Sequence, residues 1–167
     1  MGILWRWKLT VGGKMKNGLG IQFYTLGLLA MLLSPIVARA HHDRIDSEKA
    51  VQLVNLLYEG VLFREPDPQG LSYWTRLITT YGYDGLLRSA GAIGGSDEFV
   101  TRTLPMYGAR AIIENMYWVF FYREMDPAAE GWVTLLAQGR TREVVRGIVG
   151  SPEFRQLHID SFITPFP

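Results

Sequence analysis

The chain has no cysteine. This excludes disulfides, thiolate metal sites, a cysteine nucleophile and a lipid-modified cysteine anchor, so an exported domain of this kind relies on its core alone. The first forty residues contain no acid; their charges are Arg6, Lys8, Lys14, Lys16 and Arg39. Lysine is scarce after that point, Lys49 being the exception among twelve cations. Catalytic signatures are also missing. There is no G-x-S-x-G elbow, no H-E-x-x-H pair and no phosphate-cradling glycine loop, since Gly91, Gly94 and Gly95 in G-A-I-G-G fit no such fingerprint. No alternating apolar runs meet at a hairpin turn, which argues against strands.

The basic start leads into an apolar run from Phe23 to Val37 and then Ala38-Arg39-Ala40. These are the marks of a secretory signal peptide over 1–40. Met15 also serves as a start, opening a leader of ordinary length. The alternative is an uncleaved anchor over 18–37, although a full span needs about 20 apolar residues. Cleavage after Ala40 leaves 41–167, with twelve basic and sixteen acidic residues, a net charge of −4. The basic excess belongs to the leader, and the mature part has no nucleic-acid signature. The expected location is the periplasm, cell surface or extracellular space. Contact with a membrane is expected only through an uncleaved N-terminal segment.

What is present in the mature part is a sentence written twice. F-R-E-P-D-P-Q-G at 63–70 recurs as Y-R-E-M-D-P-A-A at 122–129. The offset of 59 pairs Tyr58 with Tyr117, Arg64 with Arg123, Glu65 with Glu124, and Asp67 with Asp126. Ser96-Asp97-Glu98-Phe99 recurs as Ser151-Pro152-Glu153-Phe154. An internal repeat indicates two copies of one unit that bury a common core. The predicted fold is all-α: a flexible stretch at 41–46, one four-helix module at 47–105, a second at 106–160, and an irregular tail at 161–167.

Apolar spacing places helices over about 47–63 and 109–122, with Ile112, Ile113, Met116, Val119 and Phe120 on one face of the second. Asp67-Pro68 and Asp126-Pro127 read as helix starts, an N-cap followed by a proline at the first helical position. Leu71, Trp74, Ile78 and Tyr81 are expected to face inward, ahead of a turn near Gly82. Ser96 is expected to cap a short helix that Pro105 ends. Gly139 should close the helix containing Trp132, Leu135 and Leu136, after which Thr141 and Ser151 act as caps.

The repeated R-E-x-D-P segment reads as a structural corner. Arg64 and Arg123 should pair with nearby carboxylates, and Glu98 and Glu153 qualify because they lie in the other repeated segment. The competing reading is a cation site from Glu65, Asp67 and Glu98, but calcium needs six to eight oxygens and a compact acidic loop that this chain lacks. No metal or cofactor is expected. An N-terminal His41 followed by His42 could chelate copper, with His158 as a remote ligand; adventitious binding is the preferred reading, and His158 is expected at the surface or half-buried. The run Tyr117–Tyr122 encircles a helix, so Trp118, Phe121 and Tyr122 cannot all face one core. Burial between the two copies is the favoured explanation, and an outside partner is the other.

The segment L-Y-x-x-V-L-F-R-E-P-D-P-Q-G-L-S-Y-W (Leu57–Trp74), with S-D-E-F at 96–99, resembles a bacterial family called domain of unknown function 4214. Its pattern is close to L-Y-x-x-L-x-G-R-x-P-D-x-x-G-x-x-Y-W followed by S-x-E-F. The resemblance covers about 47–158. Phe63 and Tyr122 stand where the family has glycine, Met125 replaces the proline, Ala129 replaces Gly70, and the second tryptophan moves to Trp132. The resemblance implies an all-helical accessory module, similar in pattern to phycobilisome linker domains and often beside secreted or sugar-related proteins. It carries over no catalytic residues, and export argues against a phycobilisome role.

The function expected from all this is a non-catalytic structural or interaction module whose partner is a protein or a surface polysaccharide. The alternative is a carbohydrate-binding or carbohydrate-acting protein that uses Tyr73, Trp74 or Trp132 as a stacking platform.

Overall fold

The computed structural model describes residues 44–160, all helices and connecting turns, with no strand among them. The leader, His41, His42 and the tail lie outside the described residues. No helix within them is long and apolar enough to cross a membrane.

Helix α1 (Ser47–Leu57) starts where Asp46 accepts a hydrogen bond from the Lys49 amide at 2.8 Å. Ile45 just ahead is already buried, so the stretch expected to be loose ends before it. Ala50, Leu53, Val54 and Leu57 form the buried stripe of α1. The helix widens into a π-helical turn at Tyr58–Leu62 and stops at Phe63, which is left-handed (φ 57°). Asn115, from a later helix, reaches this turn, its amide nitrogen donating to the carbonyls of Glu59 and Gly60, both at 3.0 Å.

Helix α2 (Pro68–Gly94) starts at Asp67, which accepts from the Gly70 amide at 2.8 Å. Gly82 (φ 59°, ψ −135°) breaks it into two segments. This glycine is required, because an L side chain is disfavoured at that φ. Tyr81, directly before the break, is exposed rather than inward-facing. The glycines near the end of α2 serve close packing: a Cβ on Gly94 would lie 2.5 Å from Val145 Cγ2.

Ser96 accepts from the Phe99 amide at 3.2 Å and starts the next helical stretch. It passes through a π-helical turn (Phe99–Thr103) into α3 (Leu104–Phe121). Pro105 does not end this stretch, contrary to the sequence pattern. The Leu104 amide donates five residues back to Phe99, and Pro105, which has no N–H, follows directly on that wider turn. The break comes at Gly108 (φ 78°, ψ 159°).

After α3 the chain makes a second left-handed stop at Tyr122 (φ 56°). Asp126 then accepts from the Ala128 amide at 2.9 Å and opens a 3₁₀ turn, Pro127–Ala129, leading into α4 (Glu130–Ala137). Gly139 (φ 79°) closes α4 with a Schellman pair: its amide donates to Leu136 at 3.0 Å, and the Arg140 amide donates to Leu135 at 3.1 Å. Helix α5 (Thr141–Val149) has Arg140 at its N-cap with no side-chain capping bond; Thr141 is its first helical residue and is buried instead of capping. Helix α6 (Pro152–His158) starts at Ser151, which accepts from the Phe154 amide at 3.2 Å.

One continuous core joins Leu53 and Leu57 of α1, Ile112, Met116 and Phe120 of α3, Val144 and Val145 of α5, and Phe154 of α6. Helix α2 packs on α1 and α5, and α3 packs on α4 and on the turn that ends α1. A tight approach is at Gly60, where a Cβ would collide with the Phe120 ring.

Candidate functional site

Two corners follow the two left-handed stops. In the first, Arg64 donates from Nε and Nη2 to the two oxygens of Glu98, at 2.6 and 2.7 Å, and from Nη1 to the Glu65 carbonyl at 2.8 Å. Its guanidinium lies over the Tyr58 ring, 5.0 Å from the centroid. In the second, Arg123 donates to Glu153 at 2.8 and 2.9 Å and to the Glu124 carbonyl at 3.3 Å, and lies 4.9 Å over Tyr117. The partners Glu98 and Glu153 stand beside Phe99 and Phe154, which are fully buried, so each ion pair ties a corner to a core anchor.

The corners differ at the aspartate. Asp67 lies 3.9 Å from Arg64, whereas Asp126 accepts from Arg123 at 2.8 Å. In the first corner Gly70 makes room for the Tyr58 hydroxyl, which accepts from Trp74 Nε1 at 3.2 Å; a Cβ on Gly70 would lie 2.5 Å from that hydroxyl. Ala129 replaces this glycine in the second corner and is buried.

These contacts set the charge states. Hydrogen bonds from the arginines hold Glu98 and Glu153 below the usual carboxylate range. The Gly70 amide does the same for Asp67, and Arg123 for Asp126. The carboxylates of Glu65 and Glu124 are exposed and have no ion pair among the described residues; only their main-chain carbonyls serve the corner. No three acidic or histidine side chains among the described residues are grouped to hold a metal ion.

His158 is not at the surface. It is 4% exposed, with Nε2 2.7 Å from the Phe120 carbonyl and its ring against Phe154. Burial pushes its pKa below the usual imidazole value. The sequence signal was weak: nothing about one histidine on a short polar helix indicates which carbonyl it faces.

The aromatic run on α3 divides. Tyr117, Phe120 and Phe121 are buried, but Trp118 is 65% exposed and Tyr122 is 68% exposed. Phe121 is buried, but its ring contacts, Tyr117, Phe120 and Phe154, all lie within 106–160. The favoured expectation of burial fails for Trp118 and Tyr122. Of the other rings, Tyr73 is half-exposed and set edge-on to Trp74 (79° between planes), so the two form no flat platform. Trp132 is partly buried against Gly147.

Trp118 borders an open cleft of about 730 Å³, within the size range of small-ligand sites. Arg110, Glu114 and Trp118 recur every four residues along one face of α3 and form one wall. Phe63, from the first corner, and Glu124–Pro127 with Glu130, from the second, complete it. Phe63 is braced from behind by Tyr107, stacked at 4.1 Å. Arg110 donates to Glu130 at 2.8 and 2.9 Å, while Glu114 stays 3.8 Å from Arg110. Nothing in the sequence pattern singles out this cleft, because Phe63 joins the 110–130 segment from far back in the chain.

No family model matches the chain, and no curated protein or solved structure matches it.

Proposed function

We propose that this chain is an exported, non-catalytic interaction module in which two tandem four-helix copies, 47–105 and 106–160, share one core. One observation carries the reading. The two recurring arginines, Arg64 and Arg123, are locked onto Glu98 and Glu153 at two like-built corners, while a large aromatic side chain, Trp118, stands exposed beside a cleft. Groups locked in bidentate pairs are poorly placed for acid–base work, whereas an exposed tryptophan at a cleft is typical of binding surfaces. The basic, apolar leader supports export, and the paired corner motifs support the resemblance to domain of unknown function 4214. The partner on this reading is a protein or surface polymer.

The test is capture of envelope proteins on the immobilised full chain. Trp118→Ala should abolish specific capture without lowering thermal stability. Capture indifferent to Trp118 would remove the reading. Mass spectrometry of the exported product tests the leader: an N-terminus at Met1 or Met15 would exclude cleavage.

A carbohydrate-binding role is the second reading. Its support is the half-exposed Tyr73, which lines a shallow cleft of about 580 Å³ with Asp67, Gln69 and Arg76. Oligosaccharide binding that Tyr73→Ala removes would favour it over the first.

A further inference from the structure

The Trp118 cleft is acidic in a way that selects its occupant. Its ionisable lining is Arg110 against Glu114, Glu124, Asp126 and Glu130, a net charge of −3. Counting Arg123, which neutralises Asp126 at 2.8 Å, leaves −2. The charged and amide donors on this wall are committed: Arg110 faces Glu130 and Glu114, and the Asn115 amide nitrogen is spent on two main-chain carbonyls. Apart from the indole N–H of the exposed Trp118, what remains is acceptor, the carboxylates of Glu114 and Glu124.

We propose that the cleft takes a basic segment of a protein partner, with an arginine or lysine side chain lying on the Trp118 ring and its charge toward Glu114 and Glu124. This rests on the interaction-module reading and adds the partner's chemistry. A tryptophan face attracts a cation, more so once water is displaced. The long aliphatic stem of such a side chain covers Trp118 and Phe63 while its charged head stays at the carboxylates. The −4 charge of residues 41–167 steers a basic partner toward this surface. An uncharged sugar would leave Glu124 without counter-charge, and a purely apolar helix would bury that carboxylate unpaired, which is costly.

The experiment uses the full chain labelled at its indole nitrogens and follows the Trp118 resonance, assigned by its loss in Trp118→Phe. Three probes are titrated: the peptide acetyl-Ala-Arg-Ala-Lys-Ala-amide, its twin with norleucine at both cationic positions, and chitohexaose. The basic peptide should shift the Trp118 resonance saturably and less strongly at high salt. The Glu114→Gln/Glu124→Gln double variant should weaken binding about tenfold and flatten the salt dependence. Tyr122→Ala, an exposed ring outside the cleft, should change nothing. Equal binding of the neutral twin, a Trp118 shift from chitohexaose alone, or no shift from any probe would overturn the cationic occupant. If Trp118-dependent capture of envelope proteins persists in any of those cases, the interaction reading stands and only the partner's chemistry is wrong.

Discussion

Arg64 and Glu98 meet through two hydrogen bonds of 2.6 and 2.7 Å across thirty-four residues of sequence. The pair closes the loop between the end of α1 and the start of the helical stretch that carries Phe99 into the core. Both side chains are partly exposed, so the ion pair alone contributes modestly. The stack on Tyr58 and the bond to the Glu65 carbonyl add to it. Arg64→Ala should lower stability by about 1–2 kcal/mol in denaturant unfolding, with Arg64→Lys recovering only part because lysine cannot make the fork. Unchanged unfolding in Arg64→Ala would contradict a structural role.

The left-handed stops at Phe63 and Tyr122 store strain. A residue with a Cβ costs roughly 1–2 kcal/mol in this conformation. Tyr122 is exposed, so little packing opposes its removal. Tyr122→Gly should raise the melting temperature, and Tyr122→Val should lower it. Phe63→Gly should gain less than Tyr122→Gly, because it also loses the stack on Tyr107. A stabilising valine at 122 would show that the backbone there is not left-handed.

Glycine substitutions separate packing from propensity. Gly94→Ala drives a methyl into Val145, and overpacking of this kind costs about 1–3 kcal/mol. Gly131, within α4, has nothing within 4 Å of where its Cβ would stand. Gly131→Ala should stabilise by about 0.5–1 kcal/mol through helix propensity alone. Melting curves that move both variants the same way would count against the α2–α5 approach.

Acid should unfold the protein in two stages. His158 is buried, and its folded pKa lies below the unfolded value near 6.5, so the unfolded chain takes up the proton first. Its contribution is complete above pH of about 6.5 and is lost as pH falls through the folded value. Glu98, Glu153, Asp67 and Asp126, all held below their ordinary values, add a second loss below pH of about 4.5. Stability measured between pH 7 and 5 should slope downward in the native protein and run flat in His158→Gln. An equal slope in both would mean that another group carries the first stage.

Much of the helical scaffold was legible in the sequence because its signals are local. Asp67, Asp126 and Ser151 accept from amides two or three residues on, and cap chemistry reads directly from such spacing. The apolar stripe Ile112, Ile113, Met116 and Phe120 is likewise a helical period. The misses arose where tertiary context overrode local preference. A π-helical turn carries the helix past Pro105, and burial takes Thr141 out of its capping role. His158 finds its carbonyl on another helix. Trp118 resembles its aromatic neighbours in sequence; its exposure follows from helix phase, since residues 117, 120 and 121 already occupy the inward side.

The most direct measurement compares Arg64→Ala and Trp118→Ala side by side for unfolding free energy and for capture of envelope proteins. Loss of stability with the arginine variant, and loss of capture at full stability with the tryptophan variant, would place the scaffold at the corner and recognition at the cleft. The reverse pattern, with Trp118→Ala unfolding the protein and Arg64→Ala leaving the fold intact but abolishing capture, would contradict that division.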